Sequence, residues 1–170
     1  MKEKIFFVAS RSGGHLFPCQ AIAQQIKRND GNCKAILITG SSEIELRIVK
    51  QNHSFDAVVF LNERPASRWR FLKPFILAWN AVELFLSSFW VFMKKDRPHY
   101  IVTTGGFIAV PVCLAAWVWG IPIELYELNA VPGRAIALLA PFSKKISVCF
   151  KEAKNYFSAQ KVHLVPYPIR

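Results

Sequence analysis

The 170-residue chain carries 22 Lys and Arg against 11 Asp and Glu, a formal net charge of +11, and is 52% apolar. Length and apolar content fit one domain and exclude a chain too small or too polar to bury a core. The positive excess calls for an anionic partner: nucleic acid, an acidic membrane surface or a phosphorylated substrate. Fourteen Phe and five Trp favour the membrane surface, where amphipathic aromatics beside Lys and Arg suit an interfacial patch.

In chain order, β-rich apolar runs fall near Ile5–Ala9, Ala35–Thr39, Ala57–Leu61, Tyr100–Thr103, Ile123–Tyr126, Ile146–Val148 and Val162–Val165. Longer helical runs separate them, which predicts an α/β chain of βαβ units. Strands apolar on successive residues, such as 5–8 and 57–61, belong in a parallel sheet covered by helices on both faces. The expected fold is Rossmann-like. Ligands then bind beyond the carboxyl ends of the strands, which directs attention to the loops 10–15, 104–107 and 127–133.

Residues 1–9 lack the order of a signal peptide, so a cytoplasmic protein is expected. Cys19, Cys33, Cys113 and Cys149 are widely spaced and read as reduced, buried thiols. His15, His53, His99 and His163 lie in separate segments without ligand spacing, so no metal site is expected.

The first loop, SRSGGH, sets two glycines and a histidine between strand and helix. Backbone N–H groups there can approach a phosphate at the positive helix end, and His15 can accept a proton from a hydroxyl. Plain turn geometry, with His15 a helix cap, is the simpler account of this hexapeptide taken alone. The second loop, TTGGF at 103–107, repeats the glycine turn before a helix expected over Val110–Trp119. Two such turns at one sheet edge can hold a diphosphate between them. The third loop offers Glu127 and Asn129, a carboxylate and an amide suited to a sugar, or a Pro-Gly turn and nothing more.

The segment Phe71–Met93 is long and apolar enough to cross a bilayer. Asn80, Glu83 and Ser87 form a polar line along it, Pro74 suits a first helical turn, and the segment is the only crossover between the third and fourth strands. The expectation is therefore an interfacial helix, one side on the sheet and the other in lipid headgroups, with ordinary core as the alternative. Arg64, Arg68, Arg70, Lys73, Lys94, Lys95 and Arg97 flank it, each worth roughly 1 kcal/mol against acidic lipid.

Taken together, SGGHLFPCQAIA (12–23), TTGGFIAVPVCLAAWVWGIP (103–122), YELNAVPGRAIALLA (126–140) and the closing PYPIR (166–170) resemble the MurG-like UDP-N-acetylglucosamine transferases over the whole chain. That resemblance implies the amino-terminal, acceptor-binding half of a two-lobed GT-B glycosyltransferase over residues 1–165. Residues 166–170 would begin the interdomain linker, with the UDP-GlcNAc-binding lobe absent and expected on a separate partner chain. It further implies inverting GlcNAc transfer to a polyprenyl-diphosphate-linked sugar in peptidoglycan or cell-envelope glycan synthesis, at the cytoplasmic face of the inner membrane. His15 would be the catalytic base. Arg11, Ser12, Gly13, Gly14, Gly105, Gly106, Phe107, Glu127 and Asn129 would bind the acceptor and its diphosphate. Phe71, Leu72, Phe75, Ile76, Trp79 and Trp117, with Arg68, Arg70, Lys73, Lys94 and Lys95, would form the membrane patch.

The chain departs from the family pattern at several of these positions. Ser10 and Arg11 replace two further glycines, Phe107 replaces tyrosine, Leu128 replaces glutamine, and Pro166-Tyr167 replaces Gly-Asn. Arg11 is suited to compensate as a direct phosphate ligand. No cofactor and no nucleic-acid partner is expected. The rival to a catalytic half is a non-catalytic module, or a degenerate remnant, that docks on membranes and holds the lipid carrier.

Overall fold

The computed structural model describes residues 3–10, 13–51, 54–62, 73–94 and 97–168. Within them lie seven strands: β1 (Glu3–Ala9), β2 (Cys33–Gly40), β3 (Ala57–Leu61), β4 (Tyr100–Gly105), β5 (Ile123–Glu127), β6 (Lys145–Val148) and β7 (Val162–Leu164). The helices are α1 (Gly13–Asn29), α2 (Glu43–Lys50), α3 (Lys73–Lys94), α4 (Ala109–Val118) and α5 (Arg134–Leu139). All strand pairings are parallel, in the order β3-β2-β1-β4-β5-β6-β7.

Side chains on a strand alternate between faces, and β1 uses both. Phe6 and Val8 join a cluster with Leu84 and Phe92 of α3, Val112 of α4 and Leu139 of α5. Ile5, Phe7 and Ala9 join a second cluster with Leu16, Cys19 and Ile22 of α1. Helices therefore cover both faces, and the unbroken apolar run of β1 follows from having no solvent side. The chain order reverses between β1 and β4, which makes their carboxyl ends the switch point of the sheet.

Helix α3 is the crossover from β3 to β4, with Pro74 at its second position. Asn80, Leu84, Ser88 and Phe92 are buried at a spacing of four, one stripe along the helix. Phe92 meets Phe6 at 5.9 Å between ring centroids, and the Ser88 hydroxyl donates to the Leu84 carbonyl at 2.6 Å. Phe75–Met93 is long and apolar enough to span a membrane, yet its buried stripe ties it to the core of the domain. Cys19, Cys33 and Cys113 are buried and Cys149 partly so, all four as free thiols. Burial pushes the Cys19 and Cys113 thiols far above their ordinary range.

Candidate active site

At the end of β1 the helix begins earlier than the loop motif suggests. Gly13, Gly14 and His15 form the first turn of α1 rather than a loop before it. The first-turn N–H groups lack partners within the helix, which suits an anion. Gly13 has no left-handed conformation; a Cβ there would lie 2.8 Å from the half-exposed Phe17 ring, which would have to move aside. Arg11 and Ser12 lie outside the described residues.

The β4 turn does need glycine's freedom. Gly105 and Gly106 both have φ of 100°, and a Cβ on Gly106 would fall 2.6 Å from the Ser10 Oγ. The two turns are laced together by side chains. Thr103 Oγ1 donates to the Val8 carbonyl at 2.7 Å and accepts from the Gly105 N–H at 3.0 Å. Thr104 Oγ1 donates to the His15 carbonyl at 2.9 Å, and Ser10 Oγ accepts from the Ile108 N–H at 3.3 Å. Ser10, buried where the resembled family has glycine, thus joins the β1 turn to the β4 turn.

Glu127 ends β5 and is 1% exposed. One carboxylate oxygen accepts from the Asn129 N–H at 2.8 Å and from Asn129 Nδ2 at 2.9 Å, and the other accepts from the Gly133 N–H at 2.8 Å. The carboxylate is engaged inside its own loop, and the Asn129 carboxamide oxygen is the group the loop has left to offer.

These three turns enclose a cavity of about 720 Å3. Its polar side is His15, Thr104, the Gly105–Gly106 backbone, Glu127, Asn129 and Arg134. Its apolar side is Phe107 with Leu77 and Ala81 of α3, Val110 and Pro111 of α4, and Ile136 and Leu138 of α5. His15 lines the cavity, and its Nδ1 is buried without a hydrogen-bond partner. Among the described residues no carboxylate is hydrogen-bonded to His15 Nδ1. Among the described residues no cluster of His, Cys, Asp and Glu has the makings of a metal site.

His15, Gly105, Gly106, Phe107, Glu127 and Asn129 are therefore brought together, while Gly13 and Gly14 stand beside the cavity without lining it. Arg134 and Thr104 escaped the sequence reading, although both stand inside its motifs. Leu77 and Ala81 had no local signal at all. On the surface, Phe75 is 74% and Trp79 63% exposed, with Ile76 partly buried. Trp117 is half exposed and meets Phe142 edge-on at 5.1 Å. Arg64, Arg68, Arg70, Phe71, Leu72 and Lys95 lie outside the described residues, as do the side chains of Lys73 and Lys94.

An all-parallel sheet with helices on both faces and glycine turns at its switch point is a Rossmann-like lobe of the kind that forms the amino half of GT-B glycosyltransferases. Residues 5–148 match the glycosyltransferase family 28 N-terminal domain, and the chain belongs to that family. It is 30% identical over 169 residues to the UDP-N-acetylglucosamine–N-acetylmuramyl-(pentapeptide) pyrophosphoryl-undecaprenol N-acetylglucosamine transferase of Borrelia hermsii, covering 99% of this chain and 46% of that protein. The enzyme of the same name from Carboxydothermus hydrogenoformans is 33% identical over 170 residues, covering 98% and 44%. The crystal structure of Acinetobacter baumannii MurG superposes with a TM-score of 0.79 at 22% identity, covering 99% of this chain and 47% of that one. The chain thus spans about half the length of the relatives it matches.

Proposed function

We propose that this chain is the acceptor-binding lobe of an inverting N-acetylglucosaminyltransferase whose acceptor is a sugar linked through diphosphate to a polyprenyl chain. The observation that carries the reading is the cavity itself. One glycine turn, an imidazole and an amide line it together, beside a wall of apolar side chains, with the glycine-rich first turn of α1 next to it. The names of the related enzymes describe a ligand with those parts, a sugar, a diphosphate and a polyprenol.

In this reading the acceptor diphosphate lies against the Gly105–Gly106 backbone and the first turn of α1, with Arg134 supplying positive charge. Asn129 Oδ1 accepts a hydrogen bond from the acceptor sugar. His15 Nε2 takes the proton of the attacking hydroxyl as its oxygen bonds to C1 of the donor sugar; the bond from C1 to UDP breaks and UDP departs with that electron pair. Groups that hold UDP and stabilise its departure lie outside these 170 residues, on a second chain or on more of the same polypeptide. The site works at the cytoplasmic face of the membrane, where the exposed apolar side of α3 meets lipid.

The docking-module alternative keeps one observation in its favour: among the described residues His15 Nδ1 has no hydrogen-bond partner. The test is binding. The chain should bind a short-chain polyprenyl-diphosphate sugar but not UDP-GlcNAc, and tight UDP-GlcNAc binding without acceptor binding would overturn the assignment of this lobe.

A further inference from the structure

The large cavity is not closed on its apolar side. A second, open trough of about 240 Å3 runs between α3 and α4, lined by Ala81, Val82, Phe85, Val110, Pro111 and Leu114. Ala81, Val110 and Pro111 also line the larger cavity, so the two adjoin along that wall. No polar or charged side chain lines the trough, whereas Arg134 and every other polar group of the larger cavity stand away from it on the turns. Val82 is 53% exposed, while Phe85 and Leu114 lie partly buried against the core.

We infer that this trough is a subsite for the first isoprene units of the polyprenyl chain, the hydrocarbon next to the diphosphate. The inference rests on the acceptor-lobe reading above and extends it. A preformed apolar channel opening from a polar chamber matches a ligand whose charged head is esterified to a hydrocarbon. The chain must leave the chamber somewhere, and the trough is an adjoining apolar path between α3 and α4. The surface that meets lipid is a different one: Trp79, Leu86 and Trp90 project from α3, exposed and outside both linings. A contact made only with the bilayer needs no concavity between α3 and α4.

The test is made without any membrane. The 170-residue chain is titrated with inorganic pyrophosphate and with geranyl diphosphate, following tryptophan fluorescence and calorimetry. Each methylene-sized group buried is worth about fourfold in affinity, so partial burial of two isoprene units should make geranyl diphosphate at least about tenfold tighter. Val82→Asn, a substitution at an exposed position, and Leu114→Asn should each cut that preference severalfold while leaving pyrophosphate affinity unchanged. Trp90→Ser should leave the preference intact. If wild type binds the two ligands equally, or if Trp90→Ser abolishes the preference and Val82→Asn does not, the trough is not a prenyl subsite. If neither ligand binds, the diphosphate reading of the larger cavity fails as well.

Discussion

Glu127 holds Asn129 by both of its N–H groups: one carboxylate oxygen accepts from the backbone at 2.8 Å and from the side chain at 2.9 Å. With the other oxygen on the Gly133 N–H, the carboxylate spans the loop from the end of β5 to the residue before α5. Such a group acts on a ligand through the shape it imposes. It fixes which atom of Asn129 faces the cavity and where the Arg134 backbone begins.

Glu127→Gln should therefore lower both stability and acceptor affinity. A glutamine keeps the shape but sets an NH2 group against N–H donors and removes the charge from the surviving hydrogen bonds. Losing one charge-assisted bond costs about 2 kcal/mol. The thermal midpoint should fall by about 4–8 °C, with acceptor binding weakened about tenfold or more. A fall in affinity with an unchanged midpoint would mean that the carboxylate contacts the sugar directly.

The Gly106–Ser10 approach gives a second expectation. Gly106→Ala adds a left-handed penalty of about 1–2 kcal/mol to a methyl group 2.6 Å from Ser10 Oγ and 3.0 Å from the Ser10 carbonyl. The single variant should be strongly destabilised in urea unfolding. Ser10→Gly removes the hydroxyl clash but neither the backbone contact nor the φ strain, so the double variant should recover only part of the loss. Full recovery would place all the strain in the hydroxyl.

The pattern of legibility follows from range. All seven strands could be read, the inner ones because runs such as Ile5–Ala9 are buried on both faces, and the three turns because glycine and proline mark them locally. The start of α1 at Gly13 could not, since glycine reads as loop unless the Phe17 ring packed against it is known. Nor could the inward engagement of Glu127, because a carboxylate beside an asparagine looks the same whether it faces a ligand or its own loop. Leu77 and Ala81 reach the cavity only through the packing of α3 on α4, a contact that no local pattern encodes.

His15→Ala should separate catalysis from binding. On the proposed reading the 170-residue chain by itself should show no transfer from UDP-GlcNAc, because that reading assigns the groups that stabilise the leaving UDP to a donor-binding lobe. Supplied with a donor-binding lobe, the wild-type chain should turn over and the variant should be slower by about 10²–10⁴-fold with acceptor affinity nearly unchanged. Turnover by the wild-type chain alone would refute the half-enzyme reading. Loss of acceptor binding in the variant would make His15 a phosphate or structural contact.

The membrane prediction turns on the outer face of α3. Phe75 at 74% and Trp79 at 63% exposure present large apolar side chains to solvent, with Leu86, Trp90 and Met93 continuing along the helix. A chain of net charge +11 adds an electrostatic attraction to anionic lipid. Salt weakens that attraction by shortening the Debye length but leaves apolar insertion intact. High salt should therefore release part of the protein from anionic vesicles, and Phe75→Ser with Trp79→Ser should release most of the rest. The thermal midpoint should not move, because both side chains lie outside the buried stripe of Asn80, Leu84, Ser88 and Phe92. A spanning α3 would have to pull Leu84 and Phe92 out of the core they share with Phe6. Resistance of the wild-type protein to both alkaline carbonate and high salt is the result that would establish such a span and overturn peripheral attachment.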